Sequence, residues 1–358
     1  MRYRHALVIG KFYPPHAGHH HLVRSAAAVA DRVTVVVMAS AAESIPLRER
    51  VSWMSASHAA DTAVTVTGIG CDAPMDLGSE SVWAAQVACM RAAVRAVTAA
   101  PVDAVVSSEK YGDELAYRLR ATHVCLDPGR VVHPVSGTAC RADLAGHWDD
   151  LETPARAGLT MRVVFVGAES TGTTTVSRAV ADHYRGRGGV WERTRWVPEY
   201  GREATVDKLA RLRASDPGAS MDEIVWTGDD FARIAAEQTR LEEGAARAGS
   251  PVLICDTDAF ATTVWERRYL GAFAGHAVAS DRPALYLLTD HEGVPFVQDG
   301  IRDGEHLRAD MTGWFEDALS AAGRSWVLLT GSVEERVSLA VRVIDQALAR
   351  GARFGDPI

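Results

Sequence analysis

The chain has 358 residues, 47% of them hydrophobic and 23% charged, with a formal net charge of −8. That length exceeds what one hydrophobic core usually supports, so two domains are expected, and no low-complexity tract or repeat points to disorder or a solenoid. The acidic balance, with a sequence pI near 5.9, argues against a surface that wraps nucleic acid.

Residues 6–9 form an apolar run too short for a signal-peptide core, and no stretch nears the roughly 18 apolar residues of a membrane span. Five scattered cysteines without a C-x-x-C pair fit reduced thiols in a cytoplasmic protein. Residues 5–10 read as a strand ending in glycine, followed by a loop and a helical stretch over 19–30. Apolar runs at 33–38, 64–68, 102–107 and 122–126 alternate with alanine-rich helical segments, which predicts a parallel sheet with helices on both faces. Periodicity breaks over 147–160, a polar stretch read as a linker. At Met161 the pattern restarts with an apolar, β-branched run over 161–166, a small-residue loop over 167–174 and a helix. Further strands are expected at 251–255, 284–288 and 326–329, and an amphipathic helix over 333–349. The fold class is therefore α/β, with domains at 1–146 and 161–358.

Gly10, Phe12, Pro14, His16, Gly18 and His19 fit G-x-F-x-P-x-H-x-G-H between the first strand and the first helix. A helix start offers free amides and partial positive charge, the imidazoles add donors, and the glycines allow close approach of backbone to a polyphosphate. Consecutive histidines point in different directions on a helix, so His20 and His21 read as packing or surface residues rather than metal ligands. In the second half, residues 167–174 read G-A-E-S-T-G-T-T, which fits G-x-x-x-x-G-K-[ST] except that Thr173 takes the lysine position. The loop amides and the Thr174 hydroxyl survive, but the charge that reaches the β- and γ-phosphates is missing.

The first motif resembles the nucleotidylyltransferase superfamily, and within it the bifunctional NadR-type nicotinamide mononucleotide adenylyltransferases. Val135, Ser136, Thr138 and Arg141 are similar to its second signature, with valine in place of isoleucine. The segments around Ser108, Glu109 and Tyr111, and around Asp127 and Arg130, also resemble this family. The resemblance implies a Rossmann-like nucleotidylyltransferase followed by a P-loop ribosylnicotinamide kinase-like domain. It implies adenylyl transfer from ATP to nicotinamide mononucleotide, with His16, His19 and Arg141 stabilising the polyphosphate beside Mg2+, and Gly10, Lys11, Phe12, Gly18, Ser136 and Thr138 contacting the nucleotide. Arg50 and Trp53, along with Arg48, are candidates for holding the mononucleotide, as are Ser108, Tyr111, Asp127 and Arg130; a solvated helix face explains Arg48, Arg50 and Trp53 about equally well.

For the second domain the resemblance implies phosphorylation of nicotinamide riboside. Gly167, Glu169, Ser170, Thr171, Gly172, Thr173, Thr174 and Thr175 would form the phosphate loop. Glu199 would act on the hydroxyl, Thr174 and Asp256 would hold Mg2+, and Tyr200, Arg202 and Asp258 would bind substrate. Arg302 in a polar lid would replace the missing lysine charge. Capping of the following helix is the competing role for Asp256 and Asp258. Two alternatives stay open: transfer to a different phosphate substrate in the first domain, and an ATP- or NAD-sensing second domain without turnover. The first strand begins by about residue 5, so no N-terminal DNA-binding helix-turn-helix and no repression of transcription are expected. The expected partners are small molecules, with no nucleic acid and no membrane; homo-oligomerisation is left open.

Overall fold

The structure is a computed structural model that describes residues 2–272, 275–277, 284–351 and 354–355. Its residues separate into two compact units, Met1–Leu159 with Gly351–Ile358, and Thr160–Arg350.

In the first unit the strands are β1 (Ala6–Gly10), β2 (Val33–Ala39), β3 (Val64–Gly70), β4 (Ala104–Ser107) and β5 (Thr122–Cys125), all parallel, in the order β3-β2-β1-β4-β5. Both faces of the sheet are covered, so its strands are continuous apolar runs rather than alternating ones. Ala6 and Val8 pack on one face with Val23 and Ala26 of α1 (Ala17–Val29) and Met54 of α2 (Leu47–Ser57). On the other face Leu7 packs with Ala93 and Val94 of α3 (Glu80–Val97), while Val105 packs with Leu115 of α4 (Tyr111–Leu119). The strand order reverses between β1 and β4. Their carboxyl ends open a crevice there, where ligands of such sheets bind.

Residues 147–160 are not a linker. Trp148–Asp150 form a 3-10 turn and Thr153–Leu159 form helix α6, with Trp148, Leu151, Ala155 and Ala157 buried. The acidic residues that disguise the segment face outward or find partners, Glu152 accepting Arg24 at 2.7 Å. Helix α5 (Gly137–Ala142) precedes this segment.

The second unit repeats the plan. Strands β6 (Met161–Val166), β7 (Arg195–Val197), β8 (Val252–Asp256), β9 (Ala284–Thr289) and β10 (Ser325–Leu329) form a parallel sheet in the order β10-β9-β6-β8-β7. Val163 and Phe165 of β6 pack against Val176, Val180 and Tyr184 of α7 (Thr173–Arg185) and Ile344 of α12 (Val333–Gly351). The loop from β6 to α7 is thereby fixed over the centre of the sheet. Helices α8 (Tyr200–Ser215), α9 (Gly228–Ala248), α10 (Ala259–Leu270) and α11 (Arg308–Ala321) complete the unit.

Gly158 on α6 has no room for a side chain: a Cβ would lie 2.3 Å from the Trp53 ring. Gly158→Ala is expected to destabilise the first unit by about 1–3 kcal/mol, the usual cost of overpacking. An unchanged thermal unfolding midpoint would show that α6 does not pack as described.

Candidate active sites

In the first unit Gly10 ends β1, and a Cβ there would lie 3.1 Å from the Phe12 ring. Phe12 itself adopts a left-handed φ of 47°, uncommon for a bulky residue, which turns the loop across the strand end. His16 is the N-cap of α1, and its ring stacks on His19 with centroids 3.7 Å apart. A Cβ at Gly18 would lie 3.3 Å from His16, so the second motif glycine makes space for that imidazole. The His16 amide donates to His19 Nδ1 at 3.3 Å, which leaves the proton of the neutral His19 ring on Nε2. Burial, followed by the charge of His20, lowers the His16 pKa to about 3, and burial holds His19 well below the usual imidazole range. Both rings are neutral donors.

Gly10, His16, Gly18 and His19 line a cleft of about 150 Å³ with Ser108, Tyr111, Asp127, Arg130, His133 and Gly137. His21 lines it too, at 5.2 Å from His133. The expectation that His21 only packs or faces solvent is therefore corrected, whereas His20 is buried against His58. Arg130 pairs with Glu109 at 2.5 Å. Asp127 spends both carboxylate oxygens on the amides of Val131 and Val132, and these bonds lower its pKa. Ser136 caps α5 by accepting from the Ala139 amide at 3.1 Å, and Thr138 accepts Arg141 Nη2 at 3.2 Å. Arg141 Nη1 donates to the Tyr13 carbonyl at 2.7 Å, which ties the second signature to the first. Among the described residues, Ser136, Thr138 and Arg141 stand beside the cleft rather than on its wall.

Two substrate assignments fail. Arg50 is fully buried, donates to the carbonyls of Ile45 and Lys11, and pairs with Glu43 at 2.7 Å, so it cannot reach a ligand. Trp53 is buried under α6 against Gly158. Lys11 pairs with the second oxygen of Glu43 at 2.8 Å and lines a different cavity. That cavity, about 210 Å³ and mostly apolar, lies at the ends of β1 and β2 between Met38, Trp83, Gln86, Met90 and Tyr111. Its α3 residues recur at helical spacing, the one signal that could have found them. Ile9, Gly10 and Tyr111 line both cavities, so the two adjoin.

In the second unit Gly167 closes β6, where a Cβ would lie 2.4 Å from Thr289 Oγ1. Gly172 (φ 88°) and Ser170 (φ 60°) take left-handed conformations that curl the loop around the start of α7. Thr171 braces the loop from inside by bonding the Ala168 carbonyl and Thr289, and Thr175 lies on the exposed first turn. Thr174 Oγ1 donates to Asp256 Oδ2 at 2.6 Å, with Thr173 beside it on the wall of a cavity of about 120 Å³. Glu169, Ser170, Glu199, Arg202, Asp256 and Arg302 share that cavity.

The lid is tied to the loop. Ser170 Oγ accepts the Val297 amide at 2.8 Å and faces Arg302 Nη1 at 3.5 Å. Asp299 accepts Arg202 at 2.5 Å and faces Arg302 Nε at 3.5 Å. Glu169 accepts the Gly304 amide and Arg268, which also pairs with Asp303. Burial raises the Glu199 pKa to about 7, helped by the charge of Asp256, and burial raises Asp256 to about 6. Both carboxyls are short of positive charge. The hydroxyl and buried carboxylate of Thr174 and Asp256 are oxygen donors of the kind a magnesium ion takes, and its charge would relieve that shortage.

Two further assignments are corrected. Asp258 caps α10 by accepting the Ala261 amide at 2.8 Å and also accepts Tyr286 at 2.6 Å, so it serves the helix start and not a ligand. Tyr200 starts α8 through its amide bond to Gln238 and does not line the cavity. The sequence reading missed the aromatic wall of Trp226, Phe231, Trp265 and Tyr269. Trp226 lies 5.3 Å from Tyr269 and 5.6 Å from Phe231. These residues come from two segments, 226–231 and 265–269, more than thirty residues apart, and no local pattern joins the two.

An AAA-domain family model matches residues 162–336. The trifunctional NAD biosynthesis/regulator protein NadR of Salmonella typhimurium is 21% identical over 83% of this chain and 71% of its own length. The protein of the same description from Escherichia coli is 22% identical over the same shares. A crystal structure of NadR protein in complex with NR superposes with a TM-score of 0.67 at 19% identity, covering 97% of this chain and 96% of that one. One in complex with NAD and AMP-PNP gives 0.65 at 19%, covering 96% of each. With its two parallel α/β sheets and an AAA-type P-loop domain as the second unit, the chain is a homologue of the NadR proteins.

Proposed function

We propose that the chain is an enzyme of NAD biosynthesis, whose first unit joins nicotinamide mononucleotide to ATP and whose second unit phosphorylates nicotinamide riboside. The carrying observation is the pair of adjoining cavities at the end of β1, one lined with imidazoles and the other apolar and aromatic, meeting at Gly10 and Tyr111. ATP would take the imidazole cleft, with its phosphates at the start of α1, and the nicotinamide ring would take the apolar cavity. A 5′-phosphate oxygen of the mononucleotide attacks the α-phosphorus, and the bond to the β-phosphate oxygen breaks to release pyrophosphate. No protein nucleophile is needed. His16 and His19 hold the phosphate oxygens by N–H donation, which strengthens as charge builds in the transition state.

In the second unit the phosphate loop binds ATP, and the aromatic wall fits the pyridinium ring of the riboside, a cation that aromatic faces attract. Thr174 and Asp256 would hold magnesium, which when bound supplies positive charge to the β- and γ-phosphate oxygens. Glu199 accepts the proton of the 5′-hydroxyl as that oxygen attacks the γ-phosphorus. Arg302, beside Ser170, supplies the cation that Thr173 cannot. The threonine also favours one second reading, a nucleotide-sensing unit without turnover.

His19→Ala is expected to lower kcat/KM for NAD formation from nicotinamide mononucleotide and ATP by roughly 10²-fold or more. A folded variant with unchanged synthesis would remove the assignment. For the second unit, riboside phosphorylation should fall about 10²- to 10³-fold in Arg302→Ala and rise in Thr173→Lys. A wild type without riboside turnover would leave the sensing reading in its place. Because Glu199 must be ionised to act as a base and its pKa is raised to about 7, phosphorylation should increase as pH rises through that value. Glu199→Gln should abolish this limb of the profile; its persistence would assign the titration to another group.

A further inference from the structure

Tyr13 lies in the first motif but points away from the cleft. Its ring stands between two guanidinium groups, Arg50 at 4.7 Å and Arg141 at 5.0 Å. Its carbonyl accepts Arg141 Nη1 at 2.7 Å, and its hydroxyl accepts the Ser44 amide at 2.9 Å. One side of this residue remains, and the end of the chain fills it. Phe354 meets the Tyr13 ring edge-on with centroids 5.8 Å apart, and the Tyr13 hydroxyl donates to the Gly355 carbonyl at 3.0 Å. The Gly355 amide donates to Ser44 Oγ at 2.6 Å. A Cβ at Gly355 would lie 2.5 Å from the Ala42 carbonyl, so this contact accepts only glycine without a shift.

We propose that Phe354 and Gly355 are positioning residues for the adenylyl-transfer site: they clamp Tyr13, and through it hold Arg141 and the loop that carries His16 in register. The inference rests on the proposed adenylyl transfer. The physical case is the number of independent restraints that converge on one side chain. Tyr13 has two cations on its ring, one ring edge, two bonds at its hydroxyl and one at its carbonyl. The tail supplies the ring edge and one of the hydroxyl bonds, and it anchors the Ser44 segment that supplies the other. Loss of the tail frees the ring to move between the arginines, and a displacement on the order of 1 Å in a positioning network can cost roughly 10²-fold in rate. None of these tail atoms touches the cleft, so the loss falls on kcat rather than on the KM for ATP.

The test compares the full chain with a chain ending at Gly351 and with Phe354→Ala, reading NAD formation from nicotinamide mononucleotide and ATP. Amide hydrogen exchange at Ser44 and over residues 11–16 is read in the same proteins. The expected result is a kcat about 10-fold lower or more in both variants, little change in KM, and faster exchange. Phe354→Tyr, which keeps the ring edge, should restore kcat. Riboside phosphorylation by the same molecules should be unchanged. Unchanged kcat in both variants, or unchanged exchange at Ser44, overturns the proposal. A full chain without any adenylyl transfer defeats the functional reading instead, and exchange alone then decides whether the tail holds the loop.

Discussion

The first unit is organised around a buried ion cluster. Glu43 accepts Lys11 at one carboxylate oxygen and Arg50 at the other, which lowers its pKa against the opposing effect of burial. The buried charges of Glu43 and Arg50 are tolerable only because each is paired and its remaining groups are bonded, with the half-buried Lys11 beside them. Arg50 meets that condition by donating to the carbonyls of Ile45 and Lys11, the backbone at both ends of the cluster. The charge left over is presented to the Tyr13 ring. A sequence-conserving exchange of Arg50 for lysine would not serve, because one ammonium cannot face two carbonyls, a carboxylate and a ring together. The motif loop is thus held from beneath by an arginine that first reads as a ligand contact.

The second unit uses arginines in the same manner around its phosphate loop. Arg336 donates to the Thr171 carbonyl at 2.9 Å and to that of Asp290, and Arg308 donates to the Ser170 carbonyl at 3.2 Å. These cations brace the loop through its carbonyls, which leaves its amides free to face a ligand. Burial lowers the pKa of both groups, because desolvation penalises the charged form. They add positive potential without reaching into the cavity, whose own cations are Arg202 and Arg302 from α8 and the lid. Such an arrangement makes a loop without its lysine less bare than its sequence suggests.

What could be read in advance follows from where each interaction lies in the chain. The strands were legible because each is a short apolar run, buried on both faces and bounded by glycine or polar residues. Both glycine-containing loops were legible because their geometry depends on local glycines and a following helix. Segment 147–160 was not, since Trp148, Leu151 and Ala155 are spaced among polar and acidic neighbours, and α6 is covered by α2 only in the folded chain. Arg50 and Asp258 were misassigned for a shared reason: a charged residue near a motif serves the backbone as readily as a ligand, and only its partners decide. Trp226, Tyr269 and Arg268 were invisible because the segment before α9, helix α10 and the lid meet only in the folded chain.

The two sites carry opposite electrostatic tension. In the first, His16, His19 and His20 are bases that burial keeps unprotonated. His20 Nδ1 meets His58 Nε2 at 3.0 Å, and His58 Nδ1 meets Asp61 at 2.7 Å, so His20 is tied through His58 to a carboxylate behind the motif helix. In the second, burial raises the acids Glu199 and Asp256 to about 7 and about 6, and it raises Glu242 to about 8. A group whose pKa is displaced by burial gains most from a ligand of the charge it lacks. An anion beside the imidazoles would raise their pKa, and a cation beside the carboxyls would lower theirs.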